Sequence, residues 1–135
     1  MHQSISNQPE SRIASLTREA IEFCAKHAGA EIRISEAQSS LLVMLSGSID
    51  YPLSGDLQDL LSRIVTSCAG GNRMRISLRG VNYISSTGVG ALTNTLIEAW
   101  KQKVEIVFCD IPPKITFIID VLGLRSFFPL EGSCD

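Results

Sequence analysis

The stretch Val81-Asn82-Tyr83-Ile84-Ser85-Ser86-Thr87-Gly88-Val89-Gly90 constrains this chain more than any other. An apolar strand runs into three consecutive hydroxyl residues, and Val89, Leu92, Leu96 and Trp100 then recur at helical spacing. Two glycines fall in what must be the first turns of that helix, from about Gly88 to Lys101. Each costs roughly 1 kcal/mol against alanine in a helix interior, so both need a reason. Glycine lets another group approach the backbone closely. The first helical turn also carries unpaired N–H groups and the positive end of the helix dipole. A hydroxyl held there is a good place for a phosphate.

The flanking sequence supplies partners for this strand–helix unit. Ile13, Leu16, Ala20, Phe23, Cys24 and Ala28 give a first helix that begins at Glu10 or Ser11 and ends by Gly29; residues 1–10 are polar and expected to be disordered. Glu31–Ser35 and Leu41–Ser46 read as strands joined by a hairpin, with Gly47 to Asp50 as a loop. Ser54 is the expected N-cap of the next helix, with Asp56 in its first turn and an apolar stripe from Leu53 to Cys68; Gly70-Gly71 stops it. Arg75–Leu78 and Val81–Ile84 form the next strand, and Val104–Phe108 another. Pro112-Pro113 opens a short last helix that buries Ile115, Ile118, Ile119 and Leu122 and ends at Gly123. Helices between strands imply βαβ crossovers. The expected fold is a single α/β domain, a mixed sheet with parallel core strands covered by helices, plus an extra N-terminal helix.

Composition narrows the function classes. The 135 residues suffice for one domain with a core, at 44% hydrophobic and 19% charged. With a net charge of −2 and no basic block, nucleic acid is a poor partner. No apolar run nears the roughly 18 residues of a membrane span, and Met1 to Ser11 is too polar for a signal peptide. Cys24, Cys68, Cys109 and Cys134 lack zinc-ligand spacing or a dense disulfide pattern, and the first three fall in apolar stripes as core residues. A soluble protein of a reducing cytoplasm is expected. His2 and His27 share no spacing with a carboxylate or cysteine pair and are expected in solvent. No nucleophile–base pair, metal-ligand set, cofactor motif or P-loop is present, so enzyme activity is not expected.

From about Ile32 to Leu130 the residues resemble a STAS domain of the anti-sigma-factor antagonist type. Leu42–Asp50 is similar to the family's first long strand and its Gly-x-hydrophobic-Asp ending. Ile76–Val81 is similar to the strand before the phosphorylation loop, and Tyr83–Gly90 resembles the hydrophobic-Asp-Ser-Ser/Thr-Gly-Leu-Gly signature. Pro112-Pro113-Lys114, Leu122-Gly123-Leu124 and Phe127-Phe128-Pro129 match the family's ending. The resemblance divides the chain into a 1–30 extension and a 31–135 domain. It places the phosphoacceptor on Ser86, with Ser85 and Thr87 as alternatives, and Asp50, Ser85, Thr87, Gly88 and Gly90 against a partner. Ser85 stands where the family usually has Asp. The implied partners are a serine kinase that is also an anti-sigma factor, and a serine phosphatase. The alternative is a STAS scaffold without phosphorylation, or the soluble STAS subunit of a membrane transporter.

Hydroxyls before a helix also serve simply as caps, although the capping-box form fails here because Gly88 stands where Glu or Gln belongs. Two apolar surfaces have no place in the resemblance: the stripe on residues 11–28, and Phe117 with Val121 on the back of the last helix. The expectation is that they meet, within one chain or across a dimer formed through residues 11–28.

Overall fold

The structure, a computed structural model, describes residues 9–37 and 40–133. The elements run α1 (Pro9–Lys26), β1 (Ala30–Ala37), β2 (Ser40–Ile49), α2 (Tyr51–Cys68), β3 (Arg73–Ile84), α3 (Ser86–Lys101), β4 (Ile106–Cys109) and α4 (Pro113–Val121), with a 3-10 turn at Arg125–Phe127. The sheet order is β1-β2-β3-β4. β1 and β2 pair antiparallel, while β2, β3 and β4 are parallel, as crossovers through α2 and α3 require. This is the expected α/β architecture, N-terminal helix included.

Alternation on β2 shows how the sheet is used. Leu41, Val43 and Leu45 are buried towards the core, while Leu42, Met44 and Ser46 between them are only half-buried. The core is completed by Met74, Ile76 and Leu78 of β3, Phe108 of β4, and Leu57, Leu61, Ile64 and Val65 of α2. Full burial of one such side chain is worth roughly 1.5–3 kcal/mol. α2 and α3 lie side by side, joined at their exposed edge by Asn94 to Gln58 at 3.1 Å and Gln102 to Thr66 at 3.1 Å.

Several boundaries differ from expectation. Gly47 to Ile49 is strand rather than loop, because Gly47 adopts φ +88° where a Cβ would sit 2.2 Å from the Gly29 carbonyl oxygen. The bend that glycine signals is therefore a local bend within a strand that stays paired, with Ala30 on one side and Val81 on the other. α2 starts at Tyr51 with Pro52 in its first turn, so Asp50 takes the N-cap position and Ser54 lies inside the helix. Trp100 is 53% exposed and packs edge-on against Phe127, while Ala99 takes the buried place. On α4 only Ile115 and Ile119 are fully buried, and Leu122 caps the end, exposed. Cys68 and Cys109 are core residues, and Cys109 is also disulfide-bonded, a crosslink the cysteine spacing does not announce.

The apolar stripe of α1 does not meet α4. Leu16, Ala20 and Phe23 are buried within the chain, where α1 packs on β1 and α2. Phe117 and Val121 stay 66% exposed. These three side chains of the stripe are consumed internally, while Ile21 on the same helix is 64% exposed. Salt bridges line the seam between α1 and α2, among them Glu19 with Arg63 and Lys26 with Asp56 at 3.1 Å. His27 also departs from expectation. Its side chain is 14% exposed, its ring lies against Phe23, and its Nε2 is 2.8 Å from the Asp56 carboxylate. That hydrogen bond, with Lys26 beside it, holds the Asp56 carboxyl below its usual range. His2 lies outside the described residues.

Candidate functional site

The parallel strands β2 and β3 end together, at Ile49 and Ile84, and each feeds directly into a helix. The N-termini of α2 and α3 are thereby brought side by side. Register makes this possible. From Met44 to Ser46 and again from Gly47 to Ser48 the pairing shifts, with β3 carrying the extra residue each time. At the junction the Ser85 N–H donates to the Ile49 carbonyl at 2.9 Å, tying the start of α3 to the end of β2.

The three hydroxyls of the motif take three different roles. Ser85 is the N-cap: its backbone is extended and its Oγ accepts from the Gly88 N–H at 3.1 Å. Its Oγ also lies 2.9 Å from Thr87 Oγ1. Thr87 Oγ1 is in turn 3.3 Å from Ser54 Oγ, and Ser54 Oγ donates to the Asp50 carbonyl at 2.9 Å. A string of hydroxyls therefore runs from the first turn of α3 to the first turn of α2. Ser86 stands outside it. It is exposed at the first helical position, and its Oγ makes no hydrogen bond among the described residues.

The two glycines of the motif separate as clearly. A Cβ on Gly88 would lie 2.8 Å from the Ile49 carbonyl oxygen and 2.8 Å from Ile84 Cγ1. Gly88 is thus the close approach expected of it, with the approaching group being the end of β2. A Cβ on Gly90 would meet nothing within 4 Å, so crowding does not explain that glycine.

Around Ser86 the surface combines polar and aromatic groups. Ser48 Oγ donates to Asn82 Oδ1 at 3.1 Å across the strand ends. Tyr51 is 73% exposed just after Asp50, and Tyr83 is 49% exposed three residues before Ser86. Asp50 itself is half-buried, and its side chain makes no cap hydrogen bond to α2. The structure thus brings Asp50, Ser85, Ser86, Thr87 and Gly88 into one neighbourhood. It adds Ser54, which sequence reading had assigned to a cap. The signal for Ser54 is its position on the apolar face of α2, where a buried hydroxyl needs a partner.

The arrangement holds the Ser86 hydroxyl beside the positive end of a helix, and among the described residues no carboxylate or imidazole is hydrogen-bonded to it. Among the described residues, no group of three or more His, Cys, Asp or Glu side chains is placed to hold a metal ion. No described helix is long and apolar enough to cross a membrane. A hollow of about 440 Å³ in the seam of α1 and α2 includes none of the motif's hydroxyl residues.

The profile of the STAS domain family matches residues 31–135. The chain belongs to the STAS domain family. Among curated relatives it is 21% identical over 104 residues to the anti-sigma-B factor antagonist of Bacillus subtilis (strain 168), an alignment covering 77% of this chain and 93% of that one. Among solved structures it is similar to an anti-sigma factor antagonist from Mycobacterium paratuberculosis, with TM-score 0.65, 22% identity, and 75% of this chain and 84% of that one covered. It also resembles the phosphorylated form of the Bacillus cell fate determinant SpoIIAA, with TM-score 0.59, 11% identity and coverage of 77% and 92%. These structural likenesses are of fold. The STAS match begins at Glu31, within the first residues of β1, and α1 precedes it.

Proposed function

We propose that this STAS protein is an anti-sigma-factor antagonist that works by partner switching, with Ser86 as the phosphoacceptor. One observation carries the reading. Of the three hydroxyls in the motif, only Ser86 is both exposed and uncommitted, while Ser85 caps α3 and Thr87 is bonded to Ser85 and Ser54. The relatives named as anti-sigma factor antagonists support the class of partner. In this reading the dephosphorylated form binds a serine kinase that is also an anti-sigma factor, and a phosphatase restores the hydroxyl after transfer.

The physics of the switch follows from position. A phosphoryl group on Ser86 adds about −1.5 to −2 charge at pH 7. At the first position of α3 it meets the helix N-terminus, where backbone N–H groups lack helical acceptors. The free domain can therefore carry the charge without unfolding. Inside a packed interface the same charge must be desolvated, and the complex weakens. Ser85 fills the family's Asp position as a neutral cap, so no carboxylate precedes Ser86 to repel the phosphate.

The test is phosphotransfer. The protein is incubated with its kinase and ATP, and the modified residue is mapped by mass spectrometry. Phosphate on Ser86, lost in Ser86→Ala with the fold intact, is the expected result. Transfer at the normal rate to Ser86→Ala would move the acceptor to Ser85 or Thr87. No transfer to any of the three would favour a non-phosphorylated STAS scaffold. Ser86→Asp should weaken the complex only partially, since one charge is less than a phosphate, and Ser85→Asp should change kinase turnover more than thermal stability.

A further inference from the structure

The outward face of the sheet carries a groove whose walls are strands rather than helices. Leu42, Met44 and Ser46 of β2 and Ser77 of β3 form its floor, and Arg33 of β1 and Arg79 of β3 stand on its rims. We propose that this groove docks an acidic segment of a protein partner, inserting one large apolar side chain between Arg33 and Arg79.

Four observations select this occupant. First, Leu42 and Met44 are half-buried, leaving apolar surface on a sheet whose core strands are parallel. Parallel sheets normally have both faces covered. Second, the rims are cationic and exposed. Arg33 makes no ion pair among the described residues, and Arg79 reaches Asp110 at 3.5 Å, its guanidinium still largely in solvent. Asp110 also lines the groove, mostly shielded beneath the more exposed Arg79 guanidinium that it partly neutralises, so the uncompensated cation on the rim is Arg33. Glu31, two residues from Arg33 and paired across the strands with Ser46, lines the adjoining hollow and bounds the groove at that end. Arginine presents a planar fork suited to carboxylates.

Third, the groove holds about 210 Å³. Small-molecule pockets run to roughly 300–1,000 Å³. This space suits one leucine- or phenylalanine-sized anchor, with the rest of the ligand outside, as in a peptide. Fourth, the floor is built by a register shift. A Cβ on Gly80 would lie 2.6 Å from Ser46 Cβ, so the strands close up there only because residue 80 has none. The adjoining bulge places Arg79 opposite Leu45 without a ladder partner. Bulges of this kind re-aim side chains next to functional sites.

The test uses the full chain and two fluorescein-labelled peptides, EELFEE and its cationic counterpart KKLFKK, read by fluorescence anisotropy. The acidic peptide should bind saturably, and more weakly as salt rises. Arg33→Glu should weaken it about tenfold or more by removing the charge-assisted contact, and Met44→Asp should do the same by placing a charge of the peptide's own sign on the apolar floor. Arg33→Gln, which keeps the side chain's bulk, should give a smaller loss in the same direction. Ser86→Asp should leave binding unchanged. Equal binding of the lysine peptide, no saturable binding, or affinity unmoved in both Arg33→Glu and a folded Met44→Asp would overturn the proposal. So would a homodimer in sedimentation that Arg33→Glu dissolves, which would give the groove to a second copy.

Discussion

Replacing each glycine of the motif by alanine should have opposite effects on stability. At Gly88 the new methyl would meet the Ile49 carbonyl oxygen and Ile84 Cγ1 at 2.8 Å each, and Ile49 Cγ2 at 3.0 Å. Ile84 can shift, but the Ile49 carbonyl is held by the Ser85 N–H at 2.9 Å, so relief requires moving the end of β2 away from α3. Overpacking of this kind costs about 1–3 kcal/mol, and the backbone contact argues for the upper end. The gain in helix propensity returns about 1 kcal/mol, leaving a net loss of about 2 kcal/mol. At Gly90 nothing lies within 4 Å, so only the propensity gain of about 1 kcal/mol operates. The two variants should therefore lie about 3 kcal/mol apart. For a chain of this size that is a separation on the order of 10 °C in Tm, with wild type between them. Urea unfolding at equal m-value measures it. A Gly88→Ala protein as stable as wild type would refute the claim that this helix start is pinned against β2. A Gly90→Ala protein less stable than wild type would reveal a contact at residue 90 that the single chain lacks.

Three further outcomes follow from named contacts. Ser85→Ala should cost about 0.5–2 kcal/mol through loss of the cap, while Ser86→Ala should cost a few tenths at most, as calorimetry can resolve. Asp56 has a lowered pKa, so the stability it contributes is present above the ordinary carboxylate pKa of about 3.9 and is lost as pH falls through the lower folded value. The difference between wild type and Asp56→Asn in urea should accordingly be present at neutral pH and vanish in that acid window; a difference that persists unchanged at about pH 3 would contradict the assignment. Phe23→Ala should destabilise by about 3 kcal/mol, because Phe23 is buried between α1 and the domain, and should leave the surface at Phe117 as it was; a neutral Phe23→Ala would show that α1 does not dock.

Local chemistry made much of this molecule legible before its structure. The order of strands and helices, the stop at Gly70-Gly71 and the start of α4 at Pro113 all follow from periodicity and punctuation. Reading failed where a residue's local meaning was overruled from a distance. Gly47 signals a turn, yet β1 and β3 pair with β2 on both sides and hold it in the sheet. Ser54 looks like a cap, but Pro52 already sets helical φ two residues earlier. His27 and Asp56 are 29 residues apart, beyond the reach of any spacing rule. At the site, the resemblance put the proposed acceptor on Ser86, with Ser85 and Thr87 as alternatives. Which of the three hydroxyls already has a hydrogen-bond partner is visible only in three dimensions.

The two bulges in β3 have a consequence best put in terms of parity. Along β2 the core-facing residues are odd throughout: Leu41, Val43, Leu45 and Ile49. Along β3 they begin even, at Met74, Ile76 and Leu78, become odd at Val81 and return to even at Ile84. Each inserted residue exchanges the two faces of the strand, and the second undoes the first. Loss of one residue anywhere between Arg79 and Tyr83 would leave that exchange uncorrected. Ile84 would then turn outward, carrying the hydroxyls after it off the junction with β2. Loss of two would restore it. This strand is therefore more tolerant of changes in length by two residues than by one, and the placement of Ser86 rests on an even count.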